Sequence, residues 1–383
     1  MKMTAIISEY NPFHNGHLYQ AKIAREETDA DLVVAIMSGT FMQRGEPAFS
    51  DKWTRAQAAV ASGEIDLVLE LPFYFAVQRA DRFAQGGVTI AESIGATSLS
   101  FGSECGEIEP FLTAAAENQE QTPAYQRLVK EGLARGLSSA MAASQAFRAM
   151  TTTLDLTTPN NTLGYYYARA ASRISLHTTK RVGSGYHDLS TGDIMSATAI
   201  RTHHKQTGQL MGIPKETASV LHDATFASFE PYYPFIRHRL LTTHIDVLTQ
   251  FNGIDASLAP RLAEGARRAS TFDAFMTFVK TRRYTRTSLQ RTLIYLLTST
   301  MKEEIEQIDF HQIDYVRPLA FNTLGRQALR QIKQRIPIMS TFEAHPWLIK
   351  ESQVTAAYAV PLALYDQLEE HRRFAHFSGS SSK

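Results

Sequence analysis

Cysteine is almost absent. The single thiol, Cys105, excludes an intrachain disulfide and fits a reducing compartment. No apolar run approaches the roughly 20 residues that a membrane helix needs. Met1-Lys-Met-Thr-Ala-Ile-Ile-Ser-Glu9 carries too short an apolar stretch for a signal peptide, so a cytoplasmic protein is expected. There is no Walker-type phosphate loop, which disfavours a P-loop kinase or GTPase, and no Gly-x-Ser-x-Gly elbow to support a serine nucleophile. Net charge is nearly missing too, at +1, but that balance hides an uneven distribution. Arg261, Arg267, Arg268, Lys280, Arg282, Arg283, Arg286 and Arg291 face only Glu264 and Asp273 within one short stretch, which points to a polyanionic partner.

With 383 residues, the chain has room for two domains. In the first hundred residues, short apolar runs alternate with Ala-rich helical stretches. Thr4–Glu9, Asp31–Gly39, Asp66–Pro72 and Ser98–Ser103 read as strands; Leu18–Arg25, Trp53–Ser62 and Ala80–Ile94 read as helices. That order predicts an α/β fold with a Rossmann-type parallel sheet whose ligands bind outside the carboxyl ends of the strands. Residues from about 107 to 150 read as a helical insertion, after which Asn160 or Asn161 begins another helix. After about residue 205 the pattern is mainly helical, with helices expected over 271–281, 288–302, 325–335 and 355–371. The predicted division is therefore 1–205 and 206–383, with a frayed tail after Phe377.

The chemistry concentrates at Glu9-Tyr-Asn-Pro-Phe-His-Asn-Gly-His17, an HxGH turn between the first strand and its helix. Pro12 breaks regular structure and Gly16 allows close backbone approach. His14 and His17 then fall at a helix N-terminus, where free N–H groups and the dipole favour an anion. Capping alone would account for one histidine, whereas two flanking a glycine point to phosphate chemistry. A zinc pair would need a third ligand, and no metal site is expected. Ser196-Ala-Thr-Ala-Ile-Arg201 is the second signal: a serine that can cap a helix, with an arginine about one turn further in. Arg44, after a strand end, fits either a ligand contact or solvent. Arg181 precedes Gly183-Ser184-Gly185, which does not complete a dinucleotide fingerprint. In the basic stretch, Lys280, Arg282, Arg283, Arg286 and Arg291 can track phosphates while Tyr284 stacks on a base or packs inward.

HxGH with a later Ser-x-Thr-x-Ile-Arg resembles the nucleotidyltransferase superfamily related to class I aminoacyl-tRNA synthetases. More narrowly, the Glu9–His17 string, Met37-Ser-Gly, Gln43-Arg-Gly-Glu-Pro47, Phe101-Gly-Ser-Glu104, Pro159-Asn-Asn-Thr-Leu-Gly164 and Tyr186-His-Asp188 resemble the bacterial tRNA(Met) cytidine acetate ligase family. The likeness runs through the first 205 residues and continues more weakly into the basic stretch and Arg317-Pro-Leu-Ala-Phe-Asn322. It implies that acetate attacks the α-phosphorus of ATP to give acetyl-adenylate and pyrophosphate. The acetyl group then passes to N4 of the wobble cytidine of elongator tRNA(Met), leaving N4-acetylcytidine and AMP. It further implies ATP contacts along Ile7-Ser8-Glu9-Tyr10-Asn11-Pro12-Phe13-His14-Asn15-Gly16-His17-Leu18-Tyr19-Gln20, at Gly102, at Asn160 and Asn161 (Asn161 favoured), and at Arg181. On this reading His14 and His17 meet charge developing on the phosphates, and Ser196, Thr198 and Arg201 hold the β- and γ-phosphates. Gly102 lets the nucleotide lie on bare backbone, and Mg²⁺ is held through phosphates and water. The competing reading is a small-molecule nucleotidyltransferase that joins AMP or CMP to a phosphorylated precursor; it satisfies HxGH equally but gives no reason for the basic second half.

Overall fold

In the computed structural model, residues 1–383 are described except 151–153, 182–186, 189–191, 340–344 and 380–383. The Gly183-Ser184-Gly185 loop, Tyr186 and the end of the tail therefore lie outside the described residues.

The apolar runs of the first hundred residues become parallel strands β1 (Met3–Ser8), β2 (Leu32–Ser38), β3 (Leu67–Leu71) and β4 (Ser98–Ser103), joined by β5 (Ser175–Lys180). Helices α1 (Asn15–Thr28), α2 (Lys52–Ala61), α3 (Phe73–Ala76) and α4 (Ala80–Ser93) connect them. α5 (Glu109–Glu117), α6 (Pro123–Ala134) and α7 (Ser139–Met150) form the helical insertion, and α8 (Pro159–Ala170) returns the chain to β5. A two-stranded hairpin, β6 (His187–Asp188) with β7 (Gly192–Asp193), precedes α9 (Ala197–Thr207).

The second half is helical through α10 (Lys215–Leu221), α11 (Tyr233–Thr242), α12 (Ile245–Leu248), α13 (Leu258–Arg268), α14 (Phe272–Val279), α15 (Arg286–Leu297) and α16 (Lys302–Glu306). It then gives a strand, β8 (Pro318–Phe321), to the same sheet, followed by α17 (Thr323–Ile332), α18 (Pro346–Ala359) and β9 (His376–Phe377). The sheet order is β5-β4-β1-β2-β3-β8-β9, with β8 antiparallel to β3 and β9 parallel to β8. The expected helix over 355–371 is corrected: α18 starts nine residues earlier and stops at Ala359, where Pro361 removes a donor and Ala363 turns left-handed (φ 55).

The topological switch point lies between β1 and β4, so the loops after these two strands open onto one crevice. Three apolar clusters support it. One lies on each face of the sheet, and the third fills the helical half. That third cluster takes in Phe41, Met42, Ala48 and Phe73 from the first half. A buried ionic group joins the halves as well. Lys52 Nζ lies 2.5 Å from Glu70 and 2.7 Å from Glu370, and Arg317 bonds Glu370 at 2.7 Å and Glu70 at 3.3 Å. A third carboxyl, Glu351, accepts the Phe73 N–H beside them. Burial and then the neighbouring Glu70 push its pKa up to about 8.

Candidate active site

His14 is the N-cap of α1, in extended backbone conformation. Its Nδ1 accepts the Gly16 N–H (3.1 Å), while His17 Nδ1 accepts the His14 N–H (3.3 Å), forming a histidine version of the capping box. A neutral imidazole that accepts at Nδ1 carries its proton at Nε2, so the network assigns each ring an N–H donor at Nε2. The rings stack with centroids 3.7 Å apart, and Tyr10 meets His17 edge-on at 4.9 Å. Burial first, then Arg181 and Arg201, pushes His14 down to about 3; burial, His14 and Arg181 push His17 well below the usual imidazole range. Both are neutral donors at physiological pH.

The N-terminal end of α1 differs from expectation. Asn15 N–H is given to Gly212 O (3.0 Å), Gly16 N–H to the His14 ring and His17 N–H to His14 O (2.8 Å). The turn closes too tightly to leave these donors free, so an anion would meet the imidazoles and the helix dipole. Ile7, Tyr10 and Phe13 are buried in the sheet cores and brace the turn, while Ser8, Leu18, Tyr19 and Gln20 are half-exposed.

The Ser196–Arg201 segment comes to the same turn. Ser196 caps α9 by accepting the Ala199 N–H (3.2 Å). Arg201, on the helix's first turns, donates to Asn11 O at 2.8 Å, approaches Thr198 Oγ1 at 3.5 Å and pairs with Glu46 at 3.5 Å. Glu9 accepts the Gln43 N–H (2.7 Å). Its carboxyl is nonetheless raised, because burial and Glu46 outweigh that bond and the two nearby arginines. Arg44 itself is exposed.

Across the switch point, Arg181 covers Gly102: a Cβ there would stand 3.3 Å from Arg181 Cγ. Arg181 then donates to Asn160 Oδ1 (3.3 Å). The bare Gly102 backbone is thus shielded by an exposed, positively charged side chain. Asn161 is buried and fully engaged. Its Oδ1 accepts the N–H groups of Glu104 and Cys105 (3.0 and 3.1 Å), and its Nδ2 donates to Asp155 O (3.1 Å). It closes the loop after β4, which leaves Asn160 and Arg181 as the more accessible pair. Burial would raise Glu104, but bonds from Asn160 and the Asn161 N–H hold it below the ordinary range.

The basic stretch divides. Arg261 is spent on the Val279 and Phe278 carbonyls, and Arg267 and Arg268 pair with Glu264. Arg283 meets Asp255 at 3.5 Å and Arg286 meets Asp273 at 3.2 Å. Lys280 and Arg282 are exposed, with no carboxylate partner among the described residues. Tyr284 follows the inward-packing alternative: its ring packs against the helical core, and its hydroxyl donates to Asp255 (2.8 Å) and meets Ser257 (2.6 Å). One expectation is corrected here. Arg291 turns away from this face towards Gln43 O (3.4 Å), drawn by the docking of its helix on the 43–45 loop.

Residues 1–372 match the nucleotidyltransferase family described as HIGH Nucleotidyl Transferase. The chain is 81% identical over 383 residues, the full length of both proteins, to the tRNA(Met) cytidine acetate ligase of Exiguobacterium sibiricum. The chain belongs to the tRNA(Met) cytidine acetate ligase family. It is also similar to the member from Bacillus subtilis, 37% identical over 388 residues with 94% of this chain and 93% of that one covered. Among solved structures it resembles Thermotoga maritima TmcAL bound with alpha-thio ATP. That likeness has a TM-score of 0.88 and 29% identity, covering 99% of this chain and 100% of that one.

Family motifs do not point to Arg55, the most heavily engaged side chain beneath the site. It is fully buried on α2 and donates to the carbonyls of Ser50, Glu9 (2.6 Å), Ser38 (3.1 Å) and Gly39. One guanidinium thereby ties together the chain leaving β1 and the chain leaving β2. Burial lowers it to about 10. The available signal was positional: Lys52 and Arg55 fall on the same helix face as Ala56, Ala59 and Val60, the face that packs inward.

Proposed function

We propose that this chain is an ATP-dependent tRNA-modifying ligase: it adenylates acetate and transfers the acetyl group to N4 of the wobble cytidine of elongator tRNA(Met). The observation that carries the reading is the stacked, neutral His14–His17 pair with Arg181 and Arg201 beside it, at the switch point of a parallel sheet. In the first step a carboxylate oxygen of acetate attacks the α-phosphorus. The bond to the bridging oxygen of the β-phosphate breaks, and pyrophosphate leaves. Protein need not join covalently; positioning and charge stabilisation carry the rate. His14 and His17 supply Nε2–H donors to the oxygens that gain charge. Because neither ring changes protonation, both can act without reorganisation. Ser196, Thr198 and Arg201 grip the β- and γ-phosphates, with Arg181 and Asn160 opposite. In the second step N4 attacks the acetyl carbon, AMP departs, and the nitrogen loses a proton.

The side chains at the cleft are imidazoles, guanidiniums, amides and hydroxyls, and its carboxylates Glu9, Glu46 and Glu104 are already engaged by the Gln43 N–H, by Arg201 and by Asn160. This donor set suits Mg²⁺ that arrives with ATP and is held by phosphates and water. Residues 1–205 carry the adenylation site and 206–383 the tRNA-facing surface, where Lys280 and Arg282 are exposed with no carboxylate partner among the described residues. No helix among the described residues is long and apolar enough to cross a membrane, and a cytoplasmic setting suits a tRNA substrate.

The test is ATP–pyrophosphate exchange with and without acetate. Acetate-dependent exchange is expected. In a folded His17→Ala variant it should fall by about 10²–10³, the usual cost of losing one transition-state donor. No exchange with or without acetate and tRNA moves the reading to a phosphorylated small-molecule acceptor.

A further inference from the structure

We infer that helix α7 of the insertion is the second wall of a groove for an unpaired RNA segment, facing the Lys280–Thr287 turn. This rests on the tRNA reading above and adds a site to it. A groove of about 600 Å³ lies between the two elements. On one side stand Lys280 and Arg282, the unpaired cations of the basic stretch, with the hydroxyls of Thr281 and Thr285 beside them. On the other stand Met141 and Gln145, and no carboxylate among the described residues lines the groove.

The two walls differ in chemistry. The cationic wall matches phosphate. On α7, Ala142, Ala146 and Phe147 are buried, whereas Met141 is 51% exposed and left over from that apolar face. A thioether packs well against an aromatic ring. Gln145 follows one turn later on the same helix face and offers an amide donor and acceptor together. Phosphate grip on one side, with ring packing and an amide edge on the other, fits unstacked nucleotides; a duplex would present mainly phosphates and sugars. The insertion also leaves the sheet after β4 and rejoins it at α8, the two places that Glu104 and Asn161 bind together beside the nucleotide cleft. The groove wall and that cleft are therefore parts of one continuous chain excursion.

The experiment measures affinity for transcribed elongator tRNA(Met) over a salt series, with thermal melting as the check on folding. Met141→Glu with Gln145→Glu alters only exposed positions and is expected to weaken binding about tenfold or more. Lys280→Ala with Arg282→Ala should reduce the salt slope by between one and two units, at about 0.7–0.9 per phosphate contact. Leu133→Glu, exposed on α6 outside the groove, is the control and should bind as the parent does. Parental affinity in the Met141/Gln145 variant, or equal loss in the Leu133 control, overturns the groove while the tRNA reading stands. A parent protein that does not bind tRNA at all overturns both. Equal weakening towards a blunt RNA duplex replaces the unpaired-strand occupant with a duplex and also overturns the inference. Met141→Ala and Gln145→Ala should move binding in the same direction by less.

Discussion

An imidazole that accepts a backbone N–H through Nδ1 has only Nε2 left to donate, and His14 and His17 both meet that condition while flanked by Arg181 and Arg201. Nitrogen NMR of the ring atoms should show both as Nε2–H tautomers, with no titration between pH 5 and 8. A midpoint near the ordinary 6.5 for either ring would remove the neutral-donor assignment. The sign for stability follows from the lowered values. Above 6.5 the rings are neutral folded or unfolded; below it the unfolded chain takes up protons that the native chain refuses, so stability falls as pH drops towards 3. The histidines were legible because Pro12 and Gly16 mark a turn and the spacing places both rings on it. Arg55 was not, since composition does not reveal that four carbonyls will collect around one buried guanidinium. Asn161 shows the opposite limit: its motif points to the loop as a ligand contact, while its bonds show that it closes that loop from within.

Among the elements, α15 and the 43–45 loop make the tightest approach near the cleft. Gly45 sits at φ +75, and a Cβ there would meet the Arg291 backbone nitrogen at 2.3 Å. Gly45→Ala should therefore destabilise the fold by about 1–3 kcal/mol or more, read as a lower urea midpoint, because neither backbone can yield as a side chain could. Unchanged stability would show that the loop does not rest on α15 in solution. Strands β2 and β3 were readable as continuous apolar runs bounded by turn residues. Strand β8 was not: four residues beginning with Pro318 look like a helix-to-helix connection, and only the edge of β3, far away in sequence, makes them a strand. The helix expected over 355–371 followed apolar spacing correctly as far as Ala359 and ran past Pro361, which the spacing alone does not weigh.

At the scale of the whole molecule, four buried charges hold the two halves in register. Lys52 and Arg317 draw Glu370 down to about 2 against the opposing effect of burial. The stability that Glu370 provides is present above about 4.5 and lost as pH falls towards 2. Glu370→Gln should cost about 3–5 kcal/mol at neutral pH, since it leaves two buried cations short of a partner. Glu351 runs the other way. Its raised carboxyl favours the native state at low pH and weakens it as pH rises from 4.5 through 8, so Glu351→Gln should flatten that decline while keeping an acceptor for Phe73. Denaturant titrations of both variants between about pH 2 and 9 check the two signs; a Glu370 variant as stable as the parent would show that the charges do not clasp the halves.

The pairing of β8 with β3 also sets an order for synthesis. Leu67, Val68 and Leu69 leave the ribosome long before Pro318–Phe321 exists to cover their edge. Until then the nascent chain carries an open, apolar strand edge, the kind of surface that recruits a chaperone or another unfinished copy. Completing the catalytic sheet is thus a late event, and a premature stop anywhere before Pro318 yields an aggregation-prone remnant instead of a smaller working enzyme.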